Sequence, residues 1–217
     1  MDSPTAPQDL AIDPNRPLVV VDVDEVLALF MHGFGRFLGG RGYEFRVERF
    51  ALFQNIYAPG AKAHLDIETG RALFDDFFRF AAEDLDPAPG AADALAALAR
   101  HASIVVLTNA PDYARDARGR WLIRHGMDYP MIINAGLKGE AVAELAARTA
   151  GPTAFIDDLI HNLDSVEASA PAVHRFQMVA DPRLRPFAPS APDRHRRFDE
   201  WPDLQVALVE TLELGPP

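Results

Sequence analysis

Three short apolar runs constrain this chain more than any other feature. Leu18-Val19-Val20-Val21, Ser103-Ile104-Val105-Val106-Leu107 and Thr153-Ala154-Phe155-Ile156 are too short for helices and unbroken by charge. That is the pattern of strands buried on both faces. Helices are expected between and after them, at Ala91 to His101, Asp112 to about Arg124, Leu159 to about Glu167 and Leu204 to Leu214. Weaker strands are expected at Met131-Ile132-Ile133 and from Val173 to Met178. Strands alternating with helices of this length imply an α/β fold, a Rossmann-like parallel sheet flanked by helices.

The stretch from 27 to 86 breaks that rhythm and holds ten of the fourteen phenylalanines. Their three- and four-residue spacing at Phe30-Phe34-Phe37 and Phe74-Phe77-Phe78 is helical. The reading is a helical cap inserted over the sheet edge, with most of these rings forming its own small core. The α/β core is then 17–26 together with 87–217. Residues 1–16 read as a flexible leader: they are polar and proline-rich, without the basic flank and apolar stretch of a secretory signal. The Pro- and Arg-rich stretch 181–200 reads as a surface loop, with Arg194-His195-Arg196-Arg197 as a solvated basic patch.

Composition narrows the chemistry. With no cysteine among 217 residues, thiolate nucleophiles, disulfides and cysteine-ligated metals are excluded, which fits a cytoplasmic protein. A net charge of −11 argues against nonspecific nucleic-acid binding. No apolar run approaches the roughly 20 residues that span a membrane.

In an open parallel sheet, ligands bind beyond the carboxyl ends of the strands. Asp22-Val23-Asp24 follows the first apolar run, Thr108-Asn109 the second and Asp157-Asp158 the third. Any one of these residues suits a helix cap. Capping is a poor account of all three, because a cap needs one acceptor and two of the sites offer paired acids. Neighbouring carboxylates repel unless a cation or proton is shared between them, and a hard divalent ion such as Mg²⁺ resolves the repulsion with oxygen ligands. Lys138, at the start of the helix before the third run, is disfavoured there by the helix dipole unless an anion accompanies it. Acids, a threonine and a lysine together can stabilise a transferred phosphoryl group.

These motifs, in this order, resemble the haloacid dehalogenase-like hydrolase superfamily in its phosphatase branch. The first is Asp22-Val23-Asp24-Glu25-Val26, the second Thr108, the third Lys138, and the fourth Asp157-Asp158 with Asn162 four residues beyond. The match spans about Pro17 to Val166. The resemblance implies that Asp22 is the nucleophile and forms an aspartyl-phosphate, and that Asp24 is the general acid and base. It implies that Thr108, the Asn109 backbone N–H and Lys138 bind phosphate, and that Mg²⁺ sits on Asp22, the Asp24 carbonyl and Asp158. Asp157 and Asn162 support from behind, although which acid of the pair binds the ion directly stays open. The second acid of the first motif favours phosphatase over dehalogenase, and the long insert implies a cap over a small phosphorylated metabolite such as a nucleotide or sugar phosphate. Relatives commonly carry glycine where this chain has Glu25, which could ligate, contact substrate or point away. His32, Arg36, Arg41, Lys62, His64 and Arg71 are the polar candidates for lining the pocket.

Other readings use the same residues. A phospho-acceptor receiver domain would carry its paired acids first in the chain, and here they come last. A binding or regulatory protein that has lost turnover would not be expected to keep every motif residue. A phosphotransferase or phosphomutase would run the same chemistry with an alcohol in place of water.

Overall fold

A computed structural model describes residues 7–215. Six strands form one sheet: β1 (Leu18–Val21), β4 (Ser103–Thr108), β5 (Met131–Ile133), β6 (Thr153–Asp157), β7 (His174–Met178) and β8 (Arg196–Phe198), in the order β5-β4-β1-β6-β7-β8. Every pairing in it is parallel. β1 is central, and Val21 lies in register with Val106 of β4 and Ile156 of β6. The chain order turns about β1, so its carboxyl end lies where ligands enter folds of this kind.

Alternation along the strands divides the core in two. Val19, Val21, Ile104, Val106 and Ile156 face one layer, which contains α3 (Ala91–Ala99), α4 (Arg115–Arg124) and α7 (Trp201–Thr211). Leu18, Val20, Val105, Leu107 and Phe155 face the other, built on α5 (Gly139–Ala146) and α6 (Ile160–Ser169). The strands are apolar on both faces because both faces are covered.

Between β1 and α3 the chain forms α1 (Phe30–Gly40), a small antiparallel pair of β2 (Glu44–Phe45) and β3 (Ile56–Tyr57), and α2 (Ile67–Phe80). Its outgoing and returning strands run side by side: the Leu29 N–H donates to the Asp86 carbonyl at 2.9 Å, and the Ala88 N–H to Leu27 at 2.8 Å. Two indoles brace this junction, Trp121 donating to the Leu85 carbonyl and Trp201 to the Val26 carbonyl, each at 2.9 Å. The phenylalanines of α1 and α2 interlock edge to face. Phe77 has ring centroids of Phe30 at 5.3 Å and of Phe34, Phe37 and Phe78 at 5.5 Å.

Two expectations change. Residues 7–16 are not a loose leader: Leu10 is buried in the α5–α6 layer, Arg148 donates to the Pro7 and Leu10 carbonyls, and Arg16 donates to Ala99 and Ala102. Residues 1–6 lie outside the described part. The stretch 181–200 is not all loop, since β8 adds an edge strand, and His195 within the basic patch is fully buried against Asp164 at 2.8 Å.

Truncating Phe77 to alanine removes the ring at the centre of the α1–α2 packing and is expected to cost about 3–5 kcal/mol. Phe80→Ala, on a ring 70% exposed, is expected to stay within about 0.5 kcal/mol. Urea denaturation midpoints of the two variants check this; equal shifts would contradict this packing.

Candidate active site

The loops after β1, β4 and β6 bring the sequence-predicted residues together. Lys138 is almost fully buried, with its ammonium 2.7 Å from Asp22 Oδ1 and 2.7 Å from Asp157 Oδ2. Burial by itself would push the lysine down; the carboxylates of Asp157 and Asp22 outweigh that and hold it well above its ordinary value. The lysine can stand at the start of α5 because of its successor. A Cβ on Gly139 would lie 2.4 Å from the Ser165 carbonyl oxygen of α6, so only glycine lets α5 pack this close.

Asp157 is fully occupied. Oδ1 accepts from the Leu159 N–H at 2.9 Å and Asn162 Nδ2 at 3.0 Å, and Oδ2 accepts from Lys138 and from Asn162 Nδ2 at 3.1 Å. Asp158 is buried, and its backbone carbonyl accepts from Gln177 Nε2 at 3.0 Å. Burial, then the charges of Asp157 and Asp22, raise its carboxyl well above the usual range. Burial is also the main reason that Asp22 rises to about 7, against the opposing pull of Lys138. Carboxylate oxygens of Asp22, Asp157 and Asp158 lie within 4.8 Å of one another.

Thr108 Oγ1 and Asn162 Oδ1 are buried without hydrogen-bond partners. Unsatisfied buried groups are rare and call for a reason. Here both belong to the residues around the acids, and an all-oxygen donor set with excess negative charge is what a hard divalent cation takes. Asn109 does two things. It lines the cavity, and its amide donates to the Gly136 carbonyl at 2.9 Å and accepts from Asn134 at 2.9 Å, bracing the turn that leads to Lys138.

Asp24 turns a different way from Asp22. Its carboxylate accepts from Arg118 Nη2 at 2.8 and 3.1 Å. Arg118, on α4, is fully buried, has Nε and Nη1 unpartnered, and lies with its guanidinium carbon 5.3 Å from the Phe78 ring centroid. Sequence reasoning missed this residue. An arginine on an arginine-rich helix carries no signal of burial, and the contact spans 94 positions.

Glu25 has a left-handed backbone, φ +60°, a conformation that glycine adopts without penalty. Its Oε1 accepts the Met31 N–H at 2.6 Å, tying the β1 loop to α1, while Oε2 is buried without a partner. Burial raises its carboxyl to about 8, with the Met31 N–H pulling the other way.

Asp22, Asp24, Glu25, Asn109, Lys138, Asp158 and Asn162 share the floor of a cavity of about 250 Å³ whose remaining wall comes mostly from α1, α2 and the segment between them. None of His32, Arg36, Arg41, Lys62, His64 or Arg71 lines it. His32 and Arg36 face Asp86, Arg41 pairs with Asp76, and the other three are exposed.

No protein-family model and no curated protein matches the sequence. Solved structures do match the fold. A HAD family hydrolase from Deinococcus radiodurans R1, with bound phosphate and sodium, is 16% identical over 94% of this chain and 100% of that one, with a TM-score of 0.61. A Bacillus subtilis protein assigned as a HAD hydrolase, bound to magnesium, is 13% identical over 89% and 99%, TM-score 0.58. A Thermotoga maritima protein assigned as a β-phosphoglucomutase is 15% identical over 90% and 100%, TM-score 0.56. The chain therefore has the haloacid dehalogenase-like α/β fold over most of its length. Among the described residues no helix is long and apolar enough to cross a membrane.

Glu25 supplies a pH test. Its folded-state value lies above its unfolded one, so the folded protein keeps a proton that the unfolded chain releases. Stability from this group is therefore present below about pH 4.5 and lost as pH rises through about 8. Glu25→Gln mimics the protonated form. In metal-free protein its melting temperature relative to wild type should be higher at pH 8 than at pH 5.5; the reverse order would contradict the burial of this carboxyl.

Proposed function

We propose that the protein is a Mg²⁺-dependent phosphatase that hydrolyses a small phosphomonoester through an aspartyl-phosphate on Asp22. The observation that carries this is the buried Asp22–Lys138–Asp157 arrangement at the carboxyl end of the central strand, opening onto a cavity.

Lys138 holds Asp22 Oδ1 and leaves Oδ2 for attack on phosphorus. In the first step the Asp22 oxygen–phosphorus bond forms, the bond from phosphorus to the leaving oxygen breaks, and protonated Asp24 gives its proton to that oxygen. In the second step Asp24, now a carboxylate, takes a proton from water. The water oxygen bonds to phosphorus, the Asp22–phosphorus bond breaks, and phosphate leaves. Thr108 Oγ1, the Asn109 N–H and Lys138 are the groups assigned to the phosphoryl oxygens; the unpartnered hydroxyl of Thr108 supports that assignment. Asp22, the Asp24 carbonyl and Asp158 would hold Mg²⁺, and Asp157, whose oxygens are committed to Lys138, Asn162 and Leu159, would support from behind. Mg²⁺, when bound, offsets the negative charge of phosphate and carboxylates. Arg118 is a positioning residue that orients Asp24 through its paired hydrogen bonds. Transfer to an alcohol in place of water is the second reading, favoured by the largely apolar walls of the cavity, and added alcohols competing for the phosphoryl group would reveal it.

Hydrolysis of p-nitrophenyl phosphate with Mg²⁺ tests the reading. Asp22→Asn is expected to lower kcat by at least about 10³-fold, and EDTA to abolish turnover reversibly. Wild-type rates in either case would refute it. For Arg118→Gln, kcat/KM on an alkyl phosphate, whose leaving oxygen needs a proton, should fall about 10²-fold. For p-nitrophenyl phosphate, whose leaving group needs none, kcat/KM should change little. Equal losses on both would make Arg118 merely structural.

A further inference from the structure

The cavity floor and its walls have opposite character, and the contrast narrows the substrate. Charged and hydrogen-bonding side chains that line it come from the core loops, Lys138 and Asn162 of α6. Everything that residues 27–86 contribute is apolar: Phe30, Met31, Phe50, Ala51, Leu52 and Phe74, joined on the core side by Leu159 and Leu184. The polar candidates of the insert lie outside the lining, paired or exposed. Phe30 and Met31 are themselves buried, and Met31 is held in place by its N–H bond to Glu25.

We infer that the substrate is the phosphomonoester of a small apolar alcohol, one aromatic ring or a short branched alkyl chain, and not of a sugar or nucleoside. This rests on the phosphatase reading and deepens it. A sugar hydroxyl or a base edge entering this space gives up water without finding a side-chain partner on the insert, and each such loss weakens recognition by about tenfold. An apolar body gains from leaving water against Phe50, Leu52 and Phe74. Among the described residues Lys138 is the single cationic side chain in the lining and is already shared by two carboxylates, so a second phosphate or a carboxylate on the substrate has no counter-charge. With the phosphoryl group on the floor, the body of the substrate lies against these apolar walls.

The test compares esters of primary alcohols, so that leaving-group chemistry is matched. Benzyl phosphate and 3-methylbutyl phosphate are set against glucose 6-phosphate, glycerol 3-phosphate and AMP, with Mg²⁺ present and p-nitrophenyl phosphate as control. The expected result is kcat/KM at least about 10²-fold higher for the apolar pair, and a preference reduced about tenfold in Leu52→Asn. Turnover of the control with no preference for the apolar pair overturns this inference and leaves the phosphatase reading standing. If the control itself fails, that reading falls. Equilibrium binding of benzylphosphonate against glycerol 3-phosphate then still reads the cavity: tighter binding of benzylphosphonate supports an apolar ligand, and equal or weaker binding overturns it.

Discussion

The Lys138 ammonium, buried between the carboxylates of Asp22 and Asp157 at 2.7 Å from each, depends on two neighbouring strands and on the packing of α5. An ammonium out of water is costly unless its donors are met, and losing one partner of such a group leaves an unpaired buried charge. Both partners come from the carboxyl ends of neighbouring strands, since β1 and β6 are paired in register. The lysine immediately precedes α5, brought close by the absence of a side chain at Gly139 and by the Asn109–Asn134 bracing of the preceding turn. The chain has two lysines against a large excess of arginine, and Lys138 is the buried one. Its ammonium is a compact point charge that two carboxylates can share.

The insert depends on the core in a related way. Its two linkers pair with each other, Trp121 and Trp201 bond their carbonyls, and the Glu25 carboxyl group receives the first turn of α1 through Met31. Behind Asp24, Arg118 touches both the acid and the Phe78 ring of α2. The phenylalanine packing of the insert thus reaches the acid assigned to proton transfer through one side chain. The same packing sends Phe30 and Phe74 into the cavity wall, so a cluster that holds two helices together also sets the polarity of the space above the acids.

The parts of the fold legible in the sequence were those that the sheet buries. The three apolar runs form β1, β4 and β6 because both faces of those strands are covered, and Asp22, Thr108 and Asp157 are read off directly from their positions at or just past the strand ends. The helical spacing of the phenylalanines likewise reads through to α1 and α2. Polar side chains whose burial is decided at long range were not legible. Arg118 and Asp24 are far apart in sequence, Leu10 and Arg148 are 138 positions apart, and β8 is an arginine-bearing edge strand whose pattern resembles a loop. β2 and β3, at two residues each, are too short to leave a period. The polar residues of the insert misled for the complementary reason: a residue type that suits a pocket suits an exposed ion pair equally well, and Arg36 and Arg41 form such pairs with Asp86 and Asp76.

The covalent bond proposed between phosphorus and Asp22 Oδ2, the oxygen left open by Lys138, is the step on which the functional reading rests. Acid quenching during turnover of a phosphomonoester, then borohydride reduction and peptide mass spectrometry, tests it most directly. Reduction expels phosphate and converts the acyl carbon to a primary alcohol, which is expected at Asp22 alone and not in Asp22→Asn. Turnover with no such alcohol, or one at another acid of the site, would contradict it.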